Sequence, residues 1–166
     1  MGRMGAMIRD EVADLPEGGA PRTPDRLRRR ASRLLSQLTA RSDRLINDGL
    51  AQVDARKWHY AVLASLQEYG PGSQAELSGR SGIYRSDMVG VLNELAERDL
   101  VERSPDPADR RRNVITISAR GRRHLRRLDT VLDDLHDELL APLSPVERDQ
   151  LVRLLTRLLD HHARTS

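Results

Sequence analysis

The stretch Ser73-Gln74-Ala75-Glu76-Leu77-Ser78-Gly79-Arg80-Ser81-Gly82-Ile83-Tyr84-Arg85-Ser86-Asp87-Met88-Val89-Gly90-Val91-Leu92-Asn93-Glu94-Leu95 decides the fold. Ser73 with Glu76 three residues later forms a capping box, in which each side chain satisfies the other residue's free backbone donor, so a helix starts there. The helix is expected to reach about Ser78, and Gly79 to Gly82 predicts a turn. Ile83 then precedes a helix over about Arg85 to Arg98, with Met88, Val89, Leu92 and Leu95 expected on its inner side. A short helix, a tight turn and a longer helix make a helix-turn-helix unit, the arrangement that presents its second helix to a DNA major groove.

Upstream, a helix from about Arg56 to Tyr69 carries Val62, Leu63 and Leu66 inward, and Gly70-Pro71-Gly72 stops it. Thr23-Pro24-Asp25 predicts an earlier helix start, with Thr as cap and Pro in the first turn. From there Leu27, Ala31, Leu34, Leu38 and Leu45 recur at helical spacing, as one apolar stripe ending near Gly49 or Val53. Residues 1–22, rich in Gly and closed by Pro16, Gly18, Gly19 and Pro21, are expected to be a flexible or partner-packed tail. Downstream, Leu100-Val101-Glu102-Arg103 and Asn113-Val114-Ile115-Thr116-Ile117 read as two strands, joined by the turn-forming, arginine-tipped segment Ser104 to Arg112. Ser118 opens a long helix with Leu125, Leu128, Leu132, Leu135 and Leu139 at alternating spacings of three and four, a seam suited to packing on another helix. Pro142 is expected to end it. Ser144-Pro145-Val146-Glu147 is a second capping box, opening a last helix with Leu151, Leu154, Leu155, Leu158 and Leu159.

The composition agrees with a helical chain. In 166 residues there is no Cys and no Phe, and aromatics are 2%. The core must therefore come from Leu, Val, Ile and Ala, and Leu and Ala favour helices. The absence of Cys excludes disulfides, thiolate metal sites and thiol redox chemistry. No apolar run reaches membrane-spanning length and nothing at the start reads as a signal peptide, so a soluble, cytoplasmic protein is expected. Net charge is only +3, but Arg110, Arg111, Arg112, Arg120, Arg122, Arg123, Arg126 and Arg127 form a run without a single acid, which points to a polyanion partner. No phosphate loop, nucleophile elbow or helical metal-ligand pair is present, so neither an enzyme nor a catalytic site, cofactor or metal is expected.

The order of elements, with the segments Val62-Leu63-Ala64-Ser65-Leu66, Gln74-Ala75-Glu76-Leu77, Leu92 to Arg103, Asp106-Pro107-Ala108-Asp109-Arg110-Arg111 and Ile115 to Gly121, resembles the MarR family of winged helix-turn-helix transcriptional regulators. The resemblance covers about residues 25–160 and implies a mainly α fold with a two-stranded β-hairpin wing and N- and C-terminal dimerisation helices. It implies one domain over 23–166, with dimerisation helices at 24–50 and 119–162 and a DNA-binding lobe at 55–118. The implied function is that of a homodimeric, sequence-specific DNA-binding regulator, a repressor of a pseudo-palindromic operator that a small aromatic or phenolic ligand releases. The rival reading is a winged-helix dimerisation module for protein contacts without DNA.

On this resemblance Arg85, Ser86 and Asp87 open the recognition helix and face base edges, Arg toward guanine and Asp toward a cytosine amino group. The family usually has uncharged residues here, and the other role for Asp87 is to orient Arg85. Ser73 and Gln74 suit phosphate contacts at a helix N-terminus. The resemblance places Arg111 in the minor groove, Asp109 as the brace of the hairpin, and Arg110 and Arg112 on phosphates. A candidate effector site is Arg41, Ser42, Trp58 and His59, polar positions that interrupt apolar helix registers and offer charge, hydrogen bonds and stacking to an aromatic carboxylate. The alternative is structural: Arg41 pairs across a dimer and His59 satisfies a backbone carbonyl.

Overall fold

The computed structural model describes residues 24–107, 109 and 112–164, in two compact units whose boundary falls after Leu38. In the first unit lie α1 (Asp25–Arg28), a break at Arg29–Arg30, and the opening turns of α2 (Ala31–Ala51). The single helix expected from Thr23 is thus interrupted, and Thr23 and the tail over 1–22 lie outside the described residues. The apolar stripe is present but uncovered, with Leu27, Leu34, Leu35 and Leu38 all more than 40% exposed.

The second unit contains the rest of α2, α3 (Lys57–Tyr69), β1 (Gly72–Ser73), α4 (Gln74–Ser81), α5 (Arg85–Glu97), β2 (Val101–Pro105), β3 (Asn113–Ile117), α6 (Ala119–Leu139) and α7 (Pro145–Ala163). No helix among the described residues is long and apolar enough to cross a membrane. The capping boxes form as their spacing requires. Glu76 N–H donates to Ser73 Oγ (3.3 Å) while Glu76 Oε2 accepts from Ser73 N–H (2.7 Å), and Ser144 and Glu147 repeat the pattern on α7. Helix α4 runs through Gly79 to Ser81, so the turn is shorter than expected and is made at Gly82, whose φ of 68° is left-handed.

The wing has a third strand. β3 lies at the centre of the order β1-β3-β2, pairing Gly72 with Ile115 on one side and Arg103 with Ile115 on the other, both antiparallel. Two residues of the α3–α4 connection suffice for β1, too short a run to show alternation in sequence. Along β3, Ile115 and Ile117 turn into the core with period two. Together with Leu63, Leu66, Leu77, Met88, Leu95 and Leu128 they form one apolar cluster. On α5 the buried set is Met88, Val91, Leu92 and Leu95, spaced by three and four residues, whereas Val89 is 45% exposed. The expectation that Val89 points inward is therefore corrected: 88, 91, 92 and 95 share one face of the helix, and 89 lies about 100° away from 88. The α6 seam is buried at Leu125, Leu128 and Leu132 only, and α7 buries no residue at all.

The junction of α5, β2 and α6 holds the closest approach at any glycine of the described residues. Ser118 N–H and Oγ donate to the carbonyls of Leu100 (3.1 Å) and Asp99 (2.6 Å), and Gly121 N–H donates to Ser118 Oγ (2.9 Å). A Cβ on Gly121 would stand 2.1 Å from the Leu100 carbonyl oxygen. One polar pair is also built into the helices. The ring of His59, 4% exposed, accepts at Nδ1 from Arg56 N–H (3.3 Å) and donates from Nε2 to Glu94 (2.9 Å), which Arg56 also grips. Burial lowers the His59 pKa below its ordinary 6.5, outweighing the opposing hydrogen bond to Glu94.

Gly121→Ala is expected to lower unfolding free energy by about 1–3 kcal/mol, because backbone must move to admit the methyl. Gly79→Ala, on a helical site open to solvent, is expected to raise it by about 0.5–1 kcal/mol. Chemical denaturation reads both. For His59 the unfolded chain binds the proton more readily than the folded one, so stability is complete above pH 6.5 and falls as pH drops below it. Melting temperature measured from pH 7.5 to about pH 5 should show that decline, and His59→Asn should make it shallower.

Candidate nucleic-acid interface

The buried stripe of α5 fixes what its other side displays. Arg85, Ser86, Asp87, Val89, Gly90 and Asn93 are all exposed, and Tyr84, at the N-cap, is 80% exposed. Ser86, Val89, Gly90 and Asn93 follow one another at i, i+3, i+4 and i+7, so they form a continuous outward face. No Cβ clash would arise at Gly90, which leaves the helix surface open to close approach by a ligand backbone. Gln74 Nε2 donates to the Arg85 carbonyl (3.4 Å), tying the start of α5 to the start of α4. Asp87 accepts its hydrogen bond from Ser86 Oγ (3.4 Å), and no ion pair joins it to Arg85 among the described residues.

Beside this face, the N-terminus of α4, α5 and the wing enclose a cleft of about 300 Å³, to which Gln74, Arg103, Arg112 and Asn113 contribute. Arg103 donates to Asn93 Oδ1 (2.7 Å), so β2 supports the outward face of α5. Ser73 lines the same cleft but is only 8% exposed, and its hydroxyl is taken up by the cap, donating to Glu76 Oε2 (2.7 Å) and accepting from Glu76 N–H. The Ser73 N–H and then the Ser73 hydroxyl, both donating to Oε2, hold the Glu76 carboxyl below the usual carboxylate range. The wing tip is closed by Asp106 N–H to the Arg112 carbonyl (2.8 Å) and Arg112 N–H to the Asp109 carbonyl (2.9 Å). Arg110 and Arg111 lie outside the described residues.

Sequence reasoning missed Tyr84, Val89, Gly90, Asn93 and Arg103. The helical spacing from Ser86 would have found three of them. Arg103 carried no signal, because only strand pairing shows which side of β2 it takes.

The four effector candidates are not gathered into one cavity. Arg41 is exposed, Ser42 is half-buried, and Trp58 is 38% exposed with Lys57 Nζ 5.3 Å from its ring centre. Lys57 is drawn to Asp43 on α2 (3.3 Å). His59 points the other way, into the pair with Glu94, where it lines a separate cleft of about 340 Å³ with Ala55, Arg56 and Arg98. For Tyr60, next on α3, burial and then the Asp129 carboxylate of α6 raise the pKa.

Residues 58–112 match the family model described as the MarR family. A crystal structure of a probable transcriptional regulator from Pseudomonas aeruginosa is 31% identical, with a TM-score of 0.70 over 80% of this chain and 98% of that one. The HTH-type transcriptional repressor NicR of Pseudomonas putida is 29% identical over 101 residues, which span 61% of this chain and 64% of that repressor's length. The PcaV transcriptional regulator of Streptomyces coelicolor, crystallised with its natural ligand, is 28% identical, with a TM-score of 0.69 over 81% of this chain and 94% of PcaV. By this family match and these likenesses, the chain, with its three-stranded wing, helix-turn-helix and flanking long helices, belongs to the MarR family of winged helix-turn-helix proteins.

Proposed function

We propose that the chain is a homodimeric transcriptional repressor that reads double-stranded DNA with α5 and is released by a small aromatic anion. The observation that carries the reading is the outward face of α5, polar at its N-terminal turn and exposed to solvent, on a helix anchored by Met88, Val91, Leu92 and Leu95. In this reading Arg85 takes a guanine edge, Asp87 a cytosine amino group, and Val89 a thymine methyl. Gly90 lets the helix sit deep in the groove. Gln74, Arg103 and Arg112 hold phosphates from one cleft, with Ser73 setting the α4 N-terminus. Asp109, Arg110 and Arg111 complete the wing, Arg111 entering the minor groove. The uncovered Leu34 and Leu38 on α2, and Leu154 and Leu158 on α7, supply the apolar surface a dimer needs. Two-fold symmetry then calls for a pseudo-palindromic operator with half-sites about one helical turn apart.

Fluorescence anisotropy on operator variants tests this. Arg85→Ala should cost about 1–3 kcal/mol at one base position. Arg111→Ala should weaken every variant and lower the salt slope by about one. If both leave affinity unchanged, the protein-contact reading of the wing takes over.

For release, Arg41, Ser42 and Trp58 at the α2–α3 surface form the effector site, with His59 fixing the start of α3 from behind. PcaV, similar in fold and bound to its own ligand, supports ligand control. Trp58 is the sole indole, so aromatic carboxylates should quench its fluorescence and lower operator affinity, and Arg41→Ala should blunt both effects. Quenching that persists unchanged in Arg41→Ala returns these residues to a structural role.

A further inference from the structure

Among the described residues, the arginines of the run do not form one field. Arg120, Arg123 and Arg127 stand at i, i+3 and i+7 on one face of α6, and with Arg98, at the end of α5, they line a cleft of about 590 Å³. The full length of α5, about 20 Å, separates this cleft from Arg85, so its charge is not spent on bases at the reading end. Arg41, Ser42 and Trp58 do not line it either.

The cleft is partly neutralised in a particular way. Asp54 and Asp99 are the non-glycine residues with positive φ among the described residues, at 54° and 55°. Each occupies the position after a helix where glycine is usual. The amides of Ala55 and Leu100 reach back to the carbonyls of Leu50 and Leu95 (both 2.9 Å), closing the same turn in both cases. Aspartate tolerates that conformation better than most side chains, and here it adds a carboxylate. Asp54 pairs with Arg98 (3.3 Å) and Asp99 with Arg120 (3.6 Å). Four guanidiniums against two carboxylates leave two positive charges, and Arg123 and Arg127 make no ion pair among the described residues. Between them on the same face is His124, whose Nε2 is shielded from solvent and has no hydrogen-bond partner. Shielded polar atoms in native proteins normally have one. Burial, then Arg98 and Arg127, depress the pKa of this ring and keep it neutral.

We propose that this cleft is a second ligand site, binding a small dianion, a phosphate or a dicarboxylate, between Arg123 and Arg127 beside the ring of His124. The pairs to Asp54 and Asp99 hold Arg98 and Arg120 in place on its wall.

The test is calorimetric titration of the full chain with inorganic phosphate, malonate and acetate at one ionic strength, without DNA. Phosphate or malonate should bind saturably, and whichever is tighter identifies the class. Acetate should be about tenfold weaker, and Arg123→Ala/Arg127→Ala should weaken dianion binding by at least about tenfold, because it removes both guanidiniums that would pair with the anion. Asp54→Asn keeps a side chain suited to positive φ but removes one negative charge, so it should tighten binding. Dianions no tighter than acetate, or equal binding by wild type and the double arginine variant, would overturn the site. Failure of Asp54→Asn to tighten would do the same. Because no operator enters the titration, failure of DNA binding and failure of this site are read separately.

Discussion

The approach of Gly121 to the Leu100 carbonyl is the contact on which the rest of the second unit depends. At that point α5 has just ended, β2 is beginning, and α6 leaves the sheet. Ser118 ties all three with its amide to Leu100, its hydroxyl to Asp99, and its Oγ under the Gly121 amide. A side chain on Gly121 would wedge α6 away from the end of α5. The same junction sets the direction of α5, the start of the wing and the face that α6 turns toward Arg98, so the outward face of α5 and the rear cleft share one mechanical origin.

Charge follows from that geometry. In sequence the arginines from 110 to 127 are continuous in sign. In the fold the sheet and the α6 helix part them. Arg112 joins Arg103 and Gln74 beside the face of α5, while Arg120, Arg123 and Arg127 gather at the other end with Arg98. Proximity along the chain produced the appearance of a single patch; a helix period and a strand pairing divide it.

His59 is the one buried titratable side chain among the described residues. His59, Glu94 and Arg56 link α3 to α5, and the ring is held neutral by its depth. Such a pair costs desolvation and gains definition, since its hydrogen bonds are satisfied only in one register of the two helices. Its partners are a backbone amide and a carboxylate, not the backbone carbonyl that the structural reading of the sequence expected.

The sequence by itself determined what local interactions control. Capping at Ser73, Ser118 and Ser144, the stop at Gly70, the strand Asn113–Ile117 and the inward Leu63, Leu66, Leu92 and Leu95 were all legible, because each depends on neighbours within a turn or on a period of 2 or 3.6 residues. Tertiary structure alone decided the third strand at Gly72–Ser73, the side of β2 that Arg103 takes, the pairing of His59 with Glu94, and the aspartates at positive φ beside Arg98 and Arg120. Those features join residues distant in the chain, or depend on which of several locally allowed faces the core covers. Neither a cap nor a period encodes that choice; it is made when the elements pack.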